Sequence, residues 1–333
     1  PLEGYSCQLV ADEAIDWLDN HRHPKAPFFL NLWFHEPHAP IAAPDKIVST
    51  YGELKDRAAV YSGTIDNTDR AISRVVEKLN QMGVRENTLI IYMGDHGAQF
   101  SRGKTSVYDA GTRIPLIINW PNQISEEMVR EELVCVTDIL PTCLMAAGVT
   151  LPSHLSGCPL QPLLLDRRVS DWRKSLQFIT TGGAPAIACL QFAYRTDNFK
   201  LIITPPYQGE NLSATAYLND LNSFYIAGCK QNEIDASAPW LQEVYKIYKN
   251  PPGYELYDLE EDPNEFVNLA EDPNYNSVLS QMIKEFRKWQ KNTGDPFFYD
   301  SNVRFWIDEQ RKARDINCRL RHRSTFNRNC YKI

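Results

Sequence analysis

An α/β domain with a mainly parallel sheet, followed by a small antiparallel sheet carrying one helix, is the fold class this sequence predicts. Short, almost wholly apolar runs, PFFLNLWF (27–34), NTLIIYMG (87–94) and PLIINW (115–120), alternate with stretches of helical period. Runs apolar on both faces with helices between them are the pattern of parallel strands covered on each side. After about residue 165 the texture changes to SLQFIT, IACLQFAYRTDNFKLIIT and YELYDLE, which read as strands joined by tight turns.

Each element has its own signal. In residues 7–23, Leu9, Val10, Ala14, Ile15 and Leu18 recur at helical spacing until Pro24 and Pro27 end the run. Residues 27–34 follow as a buried strand, and the proline-rich HEPHAPIAAP after it is a loop. From Tyr61 to Met82, Ile65, Thr68, Ile72, Val75, Val76 and Leu79 form one stripe of a helix, with Gly83 as its C-cap. Residues 131–149 carry a helical pattern interrupted by Pro141, hence two short helices. The TDN at 196–198 is a hairpin turn, 211–252 is an irregular insertion, and SVLSQMIKEFRKWQK is an amphipathic helix. The residues from 310 onward are basic without apolar periodicity, as in a solvated tail. The division expected is therefore residues 1–165, 166–300 and a poorly ordered tail, 301–333.

Composition excludes some functions. The 333 residues carry a net charge of -7, with 43% hydrophobic and 23% charged residues, ordinary for a globular protein. That balance offers no electrostatic footprint for nucleic acid. No apolar run reaches the ~20 residues that span a bilayer. Eight cysteines are scattered, none in a C-x-x-C pair, so a zinc ribbon is not expected and most read as small buried hydrophobes. Asn211-Leu212-Ser213 fits a glycosylation acceptor, a triplet common by chance. Pro1 stands where an initiator methionine would, which suggests a processed or truncated chain.

Two apolar runs end in polar clusters. FFLNLWF ends in His35-Glu36-Pro37-His38, and LIIYMG ends in Asp95-His96-Gly97. In open α/β sheets ligands bind beyond the carboxyl ends of the strands, so both clusters are expected on one rim. Asp95 offers a carboxylate and His96 an imidazole to one divalent cation, with Gly94 and Gly97 permitting the turn. Two ligands fall short of the about six a calcium or magnesium ion takes. Lys104, after Gly103, is a solvated charge unless an anion sits beside it. The histidine side chain, with an unperturbed pKa of about 6.5 as a residue type, can protonate a leaving oxygen, which makes His35 a candidate proton donor. Cation, ammonium and imidazoles together describe a pocket for a tetrahedral oxyanion, with His35, Asp95, His96 and Lys104 around a common cavity.

These residues resemble a known family. FHEPHAPIAAP resembles the H-x-P-H-x-P segment of the type I, formylglycine-dependent sulfatases, and GDHGAQFSRGKTSVYDAGTRIPLIINWP is similar to their metal-and-lysine segment. VTDILPTCLMAAGV, AYRTDNFKLI and YELYDLEEDPNEFVNLA resemble, in order, the helix that follows and the C-terminal subdomain. The resemblance runs from about Ala11 to Asp295. It implies an alkaline-phosphatase-like fold, incomplete here at its N-terminus, and a sulfuric ester hydrolase. It implies a calcium ion on Asp95 and His96, with Lys104 and His35 on the sulfate and His35 as the proton donor. His38 would belong to the loop or the substrate pocket, and Arg102 and Arg113 are further candidates for reading a sugar. Substrate would be a sulfated small molecule or glycan, as an O- or N-sulfate, and the compartment periplasmic, secreted or lysosomal-type. Neither nucleic acid nor a membrane is implied as a partner.

The sequence departs from the family in lacking the nucleophile segment, the N-terminal aspartate pair that completes the calcium site, and a lysine and a histidine that flank the nucleophile. No cysteine stands in the C-x-P-x-R pattern that yields the formylglycine nucleophile, and Cys158-Pro159 lacks the arginine. The expectation is that the nucleophile and the rest of the calcium site precede Pro1, and that this length of chain alone is inactive. The alternatives are a two-metal phosphohydrolase or phosphodiesterase of the same superfamily and a non-catalytic binder of sulfated glycans.

Overall fold

The computed structural model describes residues 3–124, 127–165, 169, 171–219 and 231–324, with the side chains of 219 and 317–324 outside that description. The chain divides into two compact units. One takes Pro1–Tyr92 with Leu116–Met128, and the other takes Met93–Pro115 with Val129–Ile333. The division expected at residue 165 therefore falls inside the second unit.

In the first unit, α1 (Ser6–Asp16) continues into a π-helical turn, Trp17–His21. After α2 (Asp45–Val48) comes the long α3 (Arg57–Gln81). Helix α3 starts four residues before its apolar stripe because Asp56 caps it, accepting from the Ala58 amide at 3.0 Å. It ends where Gly83 takes φ +69° and Val84 N–H reaches back to Leu79 O, 3.1 Å. Its buried face is offset from the apolar stripe. Thr64, Asn67, Thr68, Ala71, Val75 and Leu79 are buried, while Ile65 is exposed. The small polar residues let α1 approach, and their groups are satisfied: Asn67 donates to Cys7 Sγ at 3.2 Å, and Gln8 donates to Asn67 Oδ1 at 3.1 Å. Two short strands, β1 (Ile90–Met93) and β2 (Leu116–Asn119), pair beside this layer.

The run 27–34 is not a laddered strand. It is extended, with Phe28, Leu30, Leu32 and Phe34 packed on the α1/α3 cluster and Phe29 and Trp33 facing out at 73% and 83% exposure. A strand is defined by a neighbour that exchanges backbone hydrogen bonds, and residues 28–34 find none among the described residues. A shallow apolar groove lined by Leu9, Val10, Trp17 and Trp33 runs beside it. The wider parallel sheet expected here is not built by the ladders of the described residues.

The second unit is built on a four-stranded antiparallel sheet, β3 (Leu176–Thr180), β4 (Gln191–Arg195), β5 (Phe199–Ile203) and β6 (Tyr254–Asp258), in sequence order. Registers Ala193↔Ile202 and Leu201↔Leu256 fix which side chains share a face. Phe192, Tyr194, Leu201 and Leu256 pack on α10 (Asn276–Thr293) and on α11 (Asp300–Ser324) through Val303 and Ile307. The expected poorly ordered tail is thus helical as far as Ser324, because Val303, Trp306 and Ile307 give its first turns a core-facing edge; residues 325–333 lie outside the described residues. The opposite face packs on residues 107–108 and on α9 (Pro239–Lys249) and α7 (Leu212–Asn219). With the short α8 (Gln231–Asp235) these make the described part of the expected irregular insertion largely helical, while 220–230 lie outside the described residues. The same unit also contains α4 (Asp109–Thr112), α5 (Ile139–Ala146) and α6 (Gln161–Leu164). Asn211 is buried, and its Oδ1 accepts from the Ala214 amide at 3.0 Å, so it caps α7 and is not free for a glycan. Cys7, Cys135, Cys143, Cys158 and Cys189 are unpaired. No helix among the described residues is long and apolar enough to cross a membrane.

Glu36 ties the loop after the extended run to α1. It accepts from Ser6 Oγ at 2.5 Å and from the Cys7 amide at 2.9 Å. Burial pushes its carboxyl up, but the Ser6 and backbone bonds outweigh this and hold it below the ordinary range. A depressed folded pKa contributes stability above the unfolded value of about 4.3, lost as pH falls through the folded value. Glu36→Gln should therefore lower stability by about 1 kcal/mol at neutral pH. Denaturant titrations should show the gap between variant and wild type closing below about pH 4.

Candidate active site

The loop that leaves β1 folds back on itself. Gly94 N–H meets Pro115 O at 3.2 Å, Gly97 N–H meets Gly111 O at 2.9 Å, and Lys104 N–H meets Ala98 O at 2.9 Å. Two glycines make this closeness possible. A Cβ on Gly97 would lie 1.8 Å from Ala110 O, and one on Gly103 would lie 2.2 Å from Ala98 O. The backbone of Lys104 is thereby fastened two residues from His96.

Asp95 and His96 form a pair. Asp95 Oδ1 accepts from the His96 amide at 3.0 Å, and Oδ2 lies 3.1 Å from His96 Nε2. The His96 Nδ1 is 2.9 Å from Gly97 O. A carbonyl can only accept, so Nδ1 carries a proton. In the neutral ring the Nε2 lone pair then faces a carboxylate oxygen, an arrangement that calls for a cation or a proton between them. Asp95 is 85% exposed. These two donors fit part of a divalent-cation site. Among the described residues there is no cluster of three or more histidine, cysteine or acidic side chains that completes it.

Lys104 is half-buried, and its ammonium has neither an ion pair nor a side-chain hydrogen bond among the described residues. Its loop is held in a costly shape. Arg102 and Thr105 both have positive φ, +64° and +72°, and non-glycine residues in that region persist only where surroundings over-determine them. Thr105 is held by Ser213 Oγ and by Thr180 Oγ1, which donates to Thr105 O at 2.9 Å. Arg102 is buried, stacked on Tyr108 at 3.8 Å, and donates to Glu265 O at 2.5 Å and Asn264 O at 3.3 Å. The expectation that Arg102 reads a sugar is corrected here, because its guanidinium is spent inside the protein.

Beneath the loop lies a buried ionic layer. Lys200, fully buried, donates to Asp109 Oδ1 at 2.7 Å and sits 3.1 Å from Glu265 Oε1. Glu265 Oε2 accepts from the Asp109 amide at 2.7 Å, and Glu255 accepts from Tyr108 and Tyr257 hydroxyls, each at 2.6 Å. Burial would raise Asp109, but Lys200 and then Arg195 hold its carboxyl low. Burial pushes Glu265 and Glu255 up despite Lys200 and the two tyrosines respectively. Lys200, Arg195, Glu255 and Tyr257 all come from the second face of the sheet. None of this layer was singled out in the sequence, although a lysine at an alternate position inside an apolar strand, FKLII, is a signal that it faces a buried partner.

Of the sequence candidates, Asp95, His96, Lys104, Arg102 and Arg113 belong to one segment of the second unit. Arg113 is exposed, on the side of Asp109. His35 and His38 belong to the first unit, on the turn after the extended run. Their rings are 5.1 Å apart, and His38 Nδ1 donates to Ala39 O at 2.8 Å.

The loop of the second unit thus presents Asp95, His96 and Lys104 on one short segment, and comparisons with known proteins say what the chain resembles. Residues 1–149 match the family described as Sulfatase, and residues 94–212 match the family described as N-sulphoglucosamine sulphohydrolase, C-terminal. Over those residues the chain therefore resembles the sulfatases, as its motifs imply. It is 28% identical over 244 residues to an ulvan-active sulfatase of Formosa agariphila, 73% of this chain and 45% of that protein. It is 27% identical over 277 residues to N-sulphoglucosamine sulphohydrolase of Homo sapiens, 77% of this chain and 52% of that protein. The chain thus spans about half the length of these curated relatives. Its fold is like that of BT4656, solved with its substrate D-glucosamine-2-N,6-O-disulfate, at TM-score 0.66 and 18% identity, covering 89% of this chain and 71% of that one.

Removing Lys200 would leave Asp109 and Glu265 buried without their common cation. Lys200→Met should cost about 3–5 kcal/mol, measured as a shift in the urea midpoint with unchanged slope.

Proposed function

We propose that the protein to which these residues belong is a sulfatase, which hydrolyses a sulfate ester or N-sulfate on a glycan or aryl substrate. The observation that carries this reading is Lys104. A half-buried ammonium without a counter-charge among the described residues, on a strained loop that also carries a carboxylate–imidazole pair, is built to receive an anion. The reaction is R–O–SO3⁻ plus water giving R–OH, sulfate and a proton. Lys104 holds a sulfate oxygen and offsets charge on the transferred group. His35 in its protonated form gives its proton to the leaving oxygen. His38, packed against His35, keeps that ring in place, and Arg113, exposed at the end of the loop, contacts the sugar.

Asp95 and His96 hold a calcium ion, with the remaining ligands supplied from outside the described residues. When bound, that ion supplies Lewis-acid polarisation of a sulfate oxygen. The nucleophile in this reading is a formylglycine, the oxidised cysteine or serine of the sulfatase pattern. The glycan preference is supported by the sulfated glucosamine bound in BT4656 and by the name of the human relative.

The test is an assay of the complete gene product on an aryl sulfate and on N-sulfoglucosamine. Lys104→Ala and His35→Ala should each lower kcat/KM by about 10²–10³-fold, and a chelator should abolish turnover until calcium is restored. Intact turnover in both variants would sink the assignment.

A further inference from the structure

Two large aromatic side chains stand exposed on the second unit next to the lysine loop. Trp240, in the first turn of α9, is 57% exposed, and Phe266 is 36% exposed. Their rings touch, with centroids 5.6 Å apart and planes tilted by 44°. Phe266 lies in turn against Arg102, whose guanidinium carbon is 5.7 Å from its ring. Arg102 is two residues from Lys104, so the aromatic pair is continuous with the loop that presents the ammonium.

Both rings are rooted in rigid parts. Asp262 Oδ2 accepts from the amides of Phe266 and Val267, at 2.6 and 2.8 Å. Glu265, at φ +59°, turns its carboxylate inward to Lys200, which leaves the next residue, Phe266, facing outward. Helix α9 is anchored at its far end by Tyr248, buried against Tyr108 of the same loop. A stiff apolar surface beside a polar site is what a pyranose ring requires, since its C–H face stacks on aromatic rings while its hydroxyls stay in water.

We propose that Trp240 and Phe266 form a sugar-stacking subsite, which takes the pyranose next to the one that carries the cleaved sulfate. This deepens the sulfatase reading above and rests on it. The subsite makes the enzyme prefer a chain of sugars over a single sulfated sugar, because a monosaccharide held at Lys104 leaves the platform bare.

The complete protein serves as the test, by calorimetry with a sulfated tetrasaccharide of glucosamine and uronic acid and with the monosulfated glucosamine alone. Trp240→Ala should reduce the ratio of tetrasaccharide to monosaccharide affinity roughly tenfold, and Trp240→Phe should restore most of it. Lys104→Ala should weaken both ligands and leave the ratio in place. An unchanged ratio in Trp240→Ala, with wild-type aryl sulfate turnover present, overturns the subsite and leaves the sulfatase reading standing. Wild-type protein that neither binds nor hydrolyses any sulfate overturns both. Concentration-dependent dimerisation lost on Trp240→Ala overturns the subsite in favour of a contact between copies.

Discussion

A lysine with no access to water, Lys200, is the constraint on which the second unit turns. It bonds Asp109 and faces Glu265, and those two residues lie far apart in sequence, at the start of α4 and after β6. One cation thus ties the Lys104 loop, the antiparallel sheet and the loop after its last strand into one piece. Coulomb attraction in a dry interior offsets the cost of desolvation only when the geometry is closed by further hydrogen bonds. The bond from the Asp109 amide to Glu265 and the carbonyl bonds of Arg102 supply them.

The reward of that rigidity is pre-organisation. Arg102 and Thr105 hold left-handed backbone on either side of Gly103 and Lys104, so the loop cannot relax into an ordinary turn while its anchors stand. A backbone fixed at Lys104 leaves only that residue's own side chain to adjust. The sheet of the second unit therefore has two uses, one face for an apolar core with α10 and α11, and the other for a charged bed under the loop.

The sequence made some of this legible and hid the rest for physical reasons. The hairpin at Thr196–Asn198 was readable because period-two alternation and turn chemistry both lie within a few residues. Asp95 and His96 were readable because an apolar run stops just before them. Arg102 was misread, since an arginine in a glycine-bearing loop looks solvated until its positive φ and the carbonyls of Asn264 and Glu265 are known. Helix α11 was missed because the basic residues from Gln310 onward mask the short spacing of Val303, Trp306 and Ile307. The run 27–34 has the composition of a strand, and composition is silent on whether a neighbour exists to complete the ladder.

That run has a bearing on handling the protein. Among the described residues, 28–34 have no backbone ladder partner, and two big aromatic rings project from the same stretch. Such a bare template recruits any β-prone peptide, including its own twin on another molecule. Pro27 and Pro37 bracket it and stop a growing ladder from spreading into the flanking loops. Isolated preparations of this stretch of polypeptide should consequently clump through a short, well-delimited seam, and a charged replacement at Phe29 or Trp33 is the natural remedy for keeping them in solution.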